Sequence, residues 1–205
     1  MSEGRKVNRD EHIFTSATLS SIVQEAVDFF KNTEILPLPP EERFIGGGVY
    51  ALYYNGDFEH YQNLVHRDAG EYKIPVYVGK AVPPGWRTAR MESSNSADLY
   101  KRLREHSKSI IQANNLNLED FRCRFMILDG TEGDLVVPVE AGLIRHFVPL
   151  WNNLVDGFGN HDPGSGRYDQ AKSEWDVLHE GRYWANNLRG EHPRLENIIE
   201  KLRNY

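Results

Sequence analysis

Apolar residues recur along this chain with two periods, and each predicts a kind of element. Over residues 18–32, Leu19, Ile22, Val23, Ala26, Val27 and Phe30 fall three or four positions apart, the stripe of an amphipathic helix. Leu36-Pro37-Leu38-Pro39-Pro40 ends it, and proline at that density predicts an extended linker. Val49-Tyr50-Ala51-Leu52-Tyr53-Tyr54 and Ile74-Pro75-Val76-Tyr77-Val78 are rich in β-branched and aromatic residues and read as strands. A third strand is predicted over 121–128, where Phe121, Cys123, Phe125 and Ile127 alternate with Arg122 and Arg124, as a sheet with one buried face requires. Helices are predicted over 97–112 and 137–149. The order β, β, α, β, α describes a small α+β domain whose first two strands form a long-looped hairpin. Beyond it, a Gly/Asp/Asn-rich loop over 156–167 leads into helices predicted at 170–179 and 194–203. The organisation expected is therefore an N-terminal arm (1–43), a core (44–152) and a C-terminal extension (153–205).

Some polar residues sit where the periodicity calls for apolar ones. Leu99, Leu103, His106 and Ile110 share one helix face, so His106 lies on the apolar stripe, with Arg102 one turn earlier at its border. A satisfied core histidine and a snorkelling arginine account for the pair as well as a site does. On the next helix Glu140, Ile144 and Phe147 share a face. Glu140 there either complements the N-terminal dipole or points into a site, and a buried carboxylate needs a metal, an arginine or a proton as company. Tyr50 follows Gly46-Gly47-Gly48, and Tyr77 precedes Gly79 and Lys80 at a strand end. Strand tyrosines often serve packing alone, but here they accompany the other anomalies.

Charge narrows the choice of partner. The chain of 205 residues has 24 basic and 30 acidic side chains, a net −6, which argues mildly against a polyanion partner. The deficit is uneven, because residues 79–108 hold seven basic groups (Lys80, Arg87, Arg90, Lys101, Arg102, Arg104, Lys108) against three acidic ones, Glu92, Asp98 and Glu105. Such a block is a solvated face or an anion site. Cys123 stands alone, which excludes disulfide scaffolding. The N-terminal residues have no apolar leader region and no run of about 18 apolar residues occurs, so a soluble, cytoplasmic protein with no membrane partner is expected.

Gly48-Val49-Tyr50, Tyr77-Val78-Gly79-Lys80, the helical Arg102-Leu103-Arg104-Glu105-His106, the later Glu140 and then Asn152 together resemble the GIY-YIG nuclease superfamily. Valine replaces isoleucine in both motifs, and the stretch between them is longer than in many members. The resemblance covers about residues 46–152. It implies an α+β nuclease core with a three-stranded antiparallel sheet flanked by helices, plus the N-terminal arm and C-terminal extension. The compact length and the tail, including Gly157-Phe158-Gly159-Asn160-His161-Asp162 and Trp175-Asp176-Val177-Leu178-His179, look like the type II restriction endonucleases of this superfamily that cut the palindrome CCGCGG. Homing and repair nucleases of the superfamily, and a DNA-binding module without catalysis, are the alternatives.

Carried over by position, the resemblance implies double-stranded DNA as substrate and a homodimer matched to the palindrome. Tyr50 would deprotonate water with His106 accepting or relaying the proton. Arg102 would hold the scissile phosphate, Tyr77 would align phosphate or water, and Asn152 would brace the site. Glu140 would hold one Mg²⁺, for which Mn²⁺ should substitute. A free tyrosine is about three pKa units too weak a base at pH 7, so the site is expected to lower it through Lys80 or Arg102. Lys80 and Arg104 are expected to bind phosphate. Arginine to guanine and carboxylate to cytosine are the contacts a GC site demands, and Asn160, Asp162, Arg167 and Arg182 are the candidates for them. A metal site of His161, Asp162 and His179 fits no common structural spacing.

Overall fold

The computed structural model describes residues 7–83 and 95–205. Arg87, Arg90 and Glu92 of the basic block lie outside the described residues, as does the N-terminal hexapeptide. Among the described residues four antiparallel strands form one sheet: β1 (Leu36–Pro37), β2 (Gly48–Tyr54), β3 (Tyr77–Ala81) and β4 (Phe121–Ile127), in the order β1-β4-β2-β3. Three strands were expected. The fourth, β1, comes from the proline-rich run read as a linker, pairing Leu36 with Cys123 and Pro37 with Arg122 at the sheet edge, where a proline is tolerated.

β2 is the central strand and is buried throughout, so its period-2 alternation divides two cores. Tyr50, Leu52 and Tyr54 face a core with Leu99, Leu103 and Ile110 of α3 (Asp98–Gln112), Leu150 and Trp151 of α5 (Leu150–Asn153), Trp175 and Leu178 of α6 (Glu174–Leu178), and Ile198 and Leu202 of α7 (Leu195–Arg203). Val49, Ala51 and Tyr53 face Val27 and Phe30 of α1 (Ala17–Lys31) and Val136, Val139 and Leu143 of α4 (Val136–Phe147). The sheet is thus covered on both faces, and side chains from beyond residue 153 complete the same core as α3.

The α1 stripe is used only in part. Val27 and Phe30 are buried, whereas Leu19 and Ile22 remain 46% and 37% exposed. Arg124, expected on a polar face, donates through Nη1 to the carbonyls of Lys31 and Thr33, closing the C-terminal end of α1.

The long connection from β2 to β3 holds α2 (Gln62–Asp68), absent from the sequence expectation. Buried Asp68 then collects the backbone N–H groups of Tyr72, Lys73 and Ile74 at 2.7, 2.6 and 2.7 Å, folding the chain back. The β3 ladder therefore begins at Tyr77 instead of Ile74, since Pro75 has no N–H to pair. The helix expected over 170–179 is confined to Glu174–Leu178. Among the described residues no helix is long and apolar enough to cross a membrane.

Candidate active site

The two tyrosine-glycine motifs meet across the β2–β3 ladder, where Tyr50 pairs with Gly79. A Cβ at Gly79 would lie 2.5 Å from the Tyr50 hydroxyl oxygen, so the missing side chain is the space that hydroxyl occupies. Gly48 is required for another reason. Its φ is +148°, and a Cβ there would meet the Met126 carbonyl oxygen at 2.1 Å.

Above Gly79, α3 delivers His106 and Arg102 from successive turns. The Tyr50 hydroxyl is 2.6 Å from His106 Nε2, and both residues are buried. The His106 ring stacks on Phe158 at 4.5 Å between centroids and meets Tyr77 edge-on at 5.4 Å. Burial, reinforced by Arg102, pushes His106 well below its usual 6.5 and keeps it neutral. Neutral Nε2 then accepts from Tyr50, whose oxygen faces the guanidinium of Arg102. His106 is thus a buried, hydrogen-bonded histidine whose partner is the hydroxyl of Tyr50.

Tyr50 departs from the sequence expectation. Burial pushes its phenol well above 10.0, Tyr77 adds to the rise, and Arg102 only opposes it. Tyr77 is raised by burial in the same way, again against Arg102. The Lys80 ammonium is paired with Glu140 Oε2, from β3 to α4. The company that a half-buried Glu140 required is therefore a lysine.

Asn152 bonds both sides of one backbone position. Its Nδ2 donates to the Val78 carbonyl and its Oδ1 accepts from the Val78 N–H, each at 2.8 Å. The side chain stands in for a missing neighbour strand along the open edge of β3 and fixes the strand that carries Tyr77 and Lys80. Trp151 N–H adds a bond to the Val76 carbonyl at 2.8 Å.

Tyr50, Tyr77, Lys80, Arg102 and Glu140 line one open cavity of about 650 Å³, with Asp98, Lys101, Glu105 and His161 on its walls. A neighbouring groove of about 350 Å³ is lined by Arg43, Tyr100, Lys101, Arg104, Glu105 and Lys108, so Arg104 lies outside the reacting cavity but beside it. Lys101, Arg104 and Lys108 of the basic block thus share one groove along α3, with Arg43.

The four base-reading candidates separate. Asn160, Asp162 and Arg167 are exposed on the loop between α5 and α6. Arg182 is 1% exposed. Its Nε donates to Asp176 at 2.6 Å, its Nη atoms reach the carbonyls of Gly157, Phe158 and Asn160, and its guanidinium lies between the rings of Trp175 and Trp184. A guanidinium engaged in this way cannot reach a base edge, which corrects the expectation for Arg182. His161 was missed as a cavity residue because nothing in its local sequence signals that the loop returns to Arg102. His179 does not join His161 or Asp162; it accepts from Tyr61 at 2.5 Å and donates to Asn115 at 2.8 Å inside the core.

Among the described residues no group of three or more His, Cys, Asp and Glu is placed to hold a metal ion. Glu140 brings a carboxylate to the cavity, as do Asp98 and Glu105 on its walls, and a carboxylate oxygen is a donor that suits Mg²⁺, whose remaining positions are commonly filled by phosphate oxygens and water.

A family model described as the Eco29kI GIY-YIG domain matches residues 42–205. No curated protein matches the chain.

Proposed function

Because this chain belongs to the Eco29kI GIY-YIG family of restriction endonucleases, we propose that it is a type II enzyme hydrolysing both strands of double-stranded DNA at a GC-rich palindrome, CCGCGG being the first to test. The observation that carries the reading is the buried 2.6 Å contact of Tyr50 with His106, opening onto the cavity shared with Arg102 and Glu140. A homodimer would set two such sites against the two halves of the palindrome.

The attacking water gives its proton to the Tyr50 oxygen as the tyrosine's own proton passes to His106 Nε2. This relay suits a phenol whose burial disfavours a free tyrosinate. Arg102 holds the scissile phosphate and opposes its growing negative charge. Burial is what chiefly holds His106 neutral, and the phosphate offsets the Arg102 charge that adds to it, making the imidazole a better acceptor once substrate is bound. Tyr77 aligns the phosphate, and Lys80 lies within the cavity to turn toward it. Glu140 would hold Mg²⁺, or Mn²⁺ in its place, and the ion when bound stabilises charge on the leaving 3′ oxygen.

Residues 44–152 serve as the nuclease core, residues 1–43 as an arm, and the exposed Asn160, Asp162 and Arg167 as base-reading candidates within the C-terminal part. Digestion of a mixed-sequence plasmid with the purified chain and Mg²⁺, followed by sequencing of the ends, tests the function. Discrete fragments ending within one palindrome are expected. Intact plasmid, or ends without a common sequence, would overturn the reading.

A further inference from the structure

The loop after α5, whose Gly/Asp/Asn composition points to an ordinary surface turn, comes back onto the reacting groups. Arg102 Nη2 donates to the Gly159 carbonyl at 2.9 Å, while Nη1 is 2.6 Å from His161 Nε2 and 2.9 Å from Glu105 Oε2. A guanidinium has donors only, so His161 Nε2 contributes a lone pair and the imidazole is neutral. We propose that His161 is a positioning residue for Arg102, and that residues 157–161 form a clamp fixing the guanidinium over the place where the scissile phosphate binds. The inference rests on the reading of Arg102 as the phosphate-holding group.

Three independent features support a built clamp. Buried Arg182 holds the loop backbone through the carbonyls of Gly157, Phe158 and Asn160, so His161 is presented from a fixed support. Phe158 of the same loop stacks on His106, bringing the loop against the proton acceptor as well as the phosphate holder. Gly159 packs so tightly that a Cβ there would lie 2.7 Å from the Tyr77 hydroxyl, so the loop is fitted to the tyrosines it covers. Glu105 already gives the guanidinium one carboxylate partner, and a neutral acceptor at 161 orients it further without adding a second negative charge. Partial desolvation and Arg102 both push His161 below its usual 6.5, consistent with the neutral form.

The test uses the full chain, Mg²⁺ and a plasmid that the parent protein cuts, with single-turnover rates for His161→Ala, His161→Gln and Arg102→Ala. His161→Ala should slow cutting by about 10- to 100-fold, the scale of a misaligned reacting group. The thermal midpoint should be unchanged, since the side chain is exposed. His161→Gln should recover most of the rate, because its amide oxygen also accepts from a guanidinium. Parental cutting by His161→Ala, or equal slowness of the alanine and glutamine variants, would overturn the inference. Parental cutting by Arg102→Ala would instead overturn the reading on which it rests.

Discussion

The hydroxyl of Tyr50 lies 2.6 Å from Nε2 of His106, and both residues are buried. Tyr50→Phe keeps the ring and its packing while deleting the oxygen through which the proposed relay runs. Single-turnover cleavage should fall by about 10²- to 10⁴-fold, the usual contribution of a positioned acid or base, with thermal stability nearly retained. Cutting within a few fold of the parent would remove Tyr50 from the chemistry.

Arg182 and Asp176 form an ion pair with both side chains 1% exposed. Arg182→Met should destabilise the chain by about 3–5 kcal/mol, the cost of leaving one charge of a buried pair without its partner. Adding Asp176→Leu should return part of the loss, since the stranded carboxylate is then gone. Urea unfolding of both variants measures this, and an unchanged midpoint for Arg182→Met would contradict the burial.

His179 is pulled down to about 3 by burial and the positive charge of Arg182. Between that value and the ordinary 6.5 the unfolded chain binds a proton that the folded chain refuses. Stability is therefore fully present above about pH 6.5 and declines as pH falls toward 3. The His179 contribution to the slope is about 1.4 kcal/mol per pH unit. His106, also depressed, acts in the same direction. Chemical denaturation of His179→Gln between pH 4 and 6 should give a flatter dependence than the parent, and an identical slope would count against a neutral buried His179.

Arg104 lines the basic groove beside the reacting cavity, its guanidinium over the Tyr100 ring at 6.0 Å. If the groove carries a DNA strand past the site, Arg104→Ala should reduce the slope of log affinity against log salt by about 1 without changing which sequence is cut. Titrations of duplex DNA at several salt concentrations give that slope. An altered cleavage sequence would instead place Arg104 on a base.

The parts of the site that could be read from sequence are those carried on regular elements. Arg102 and His106 are one turn apart on α3, and their place on an apolar stripe was visible from periodicity alone. Tyr50, Tyr77 and Glu140 likewise sit on elements whose positions the hydrophobic pattern predicts. Three things escaped it. β1 is two residues long and built on a proline, so nothing in its composition marks a strand. The start of β3 depends on Asp68 gathering three amides from a turn, a tertiary effect that its β-rich sequence masks. The path of residues 157–161 is set by Arg182, about 20 positions later in the chain, binding carbonyls that every residue possesses. Backbone carbonyls carry no sequence signal, which is why Arg182 read as a candidate for base contact and His161 was not placed beside Arg102. The net −6 likewise concealed a local surface of the opposite sign along α3.

Gly79 lends its vacant Cβ position to the oxygen of Tyr50. The two tripeptide motifs are therefore halves of a single cross-strand object, the glycine of one being the socket for the tyrosine of the other. Substitutions at the two positions should not combine as independent losses. With Tyr50→Phe already in place, a Cβ at Gly79 no longer meets the hydroxyl oxygen at 2.5 Å but still meets the ring carbon Cζ at 2.7 Å, so the further effect of Gly79→Ala on cleavage should shrink without vanishing. A sequence comparison that scores the motifs separately counts one constraint twice.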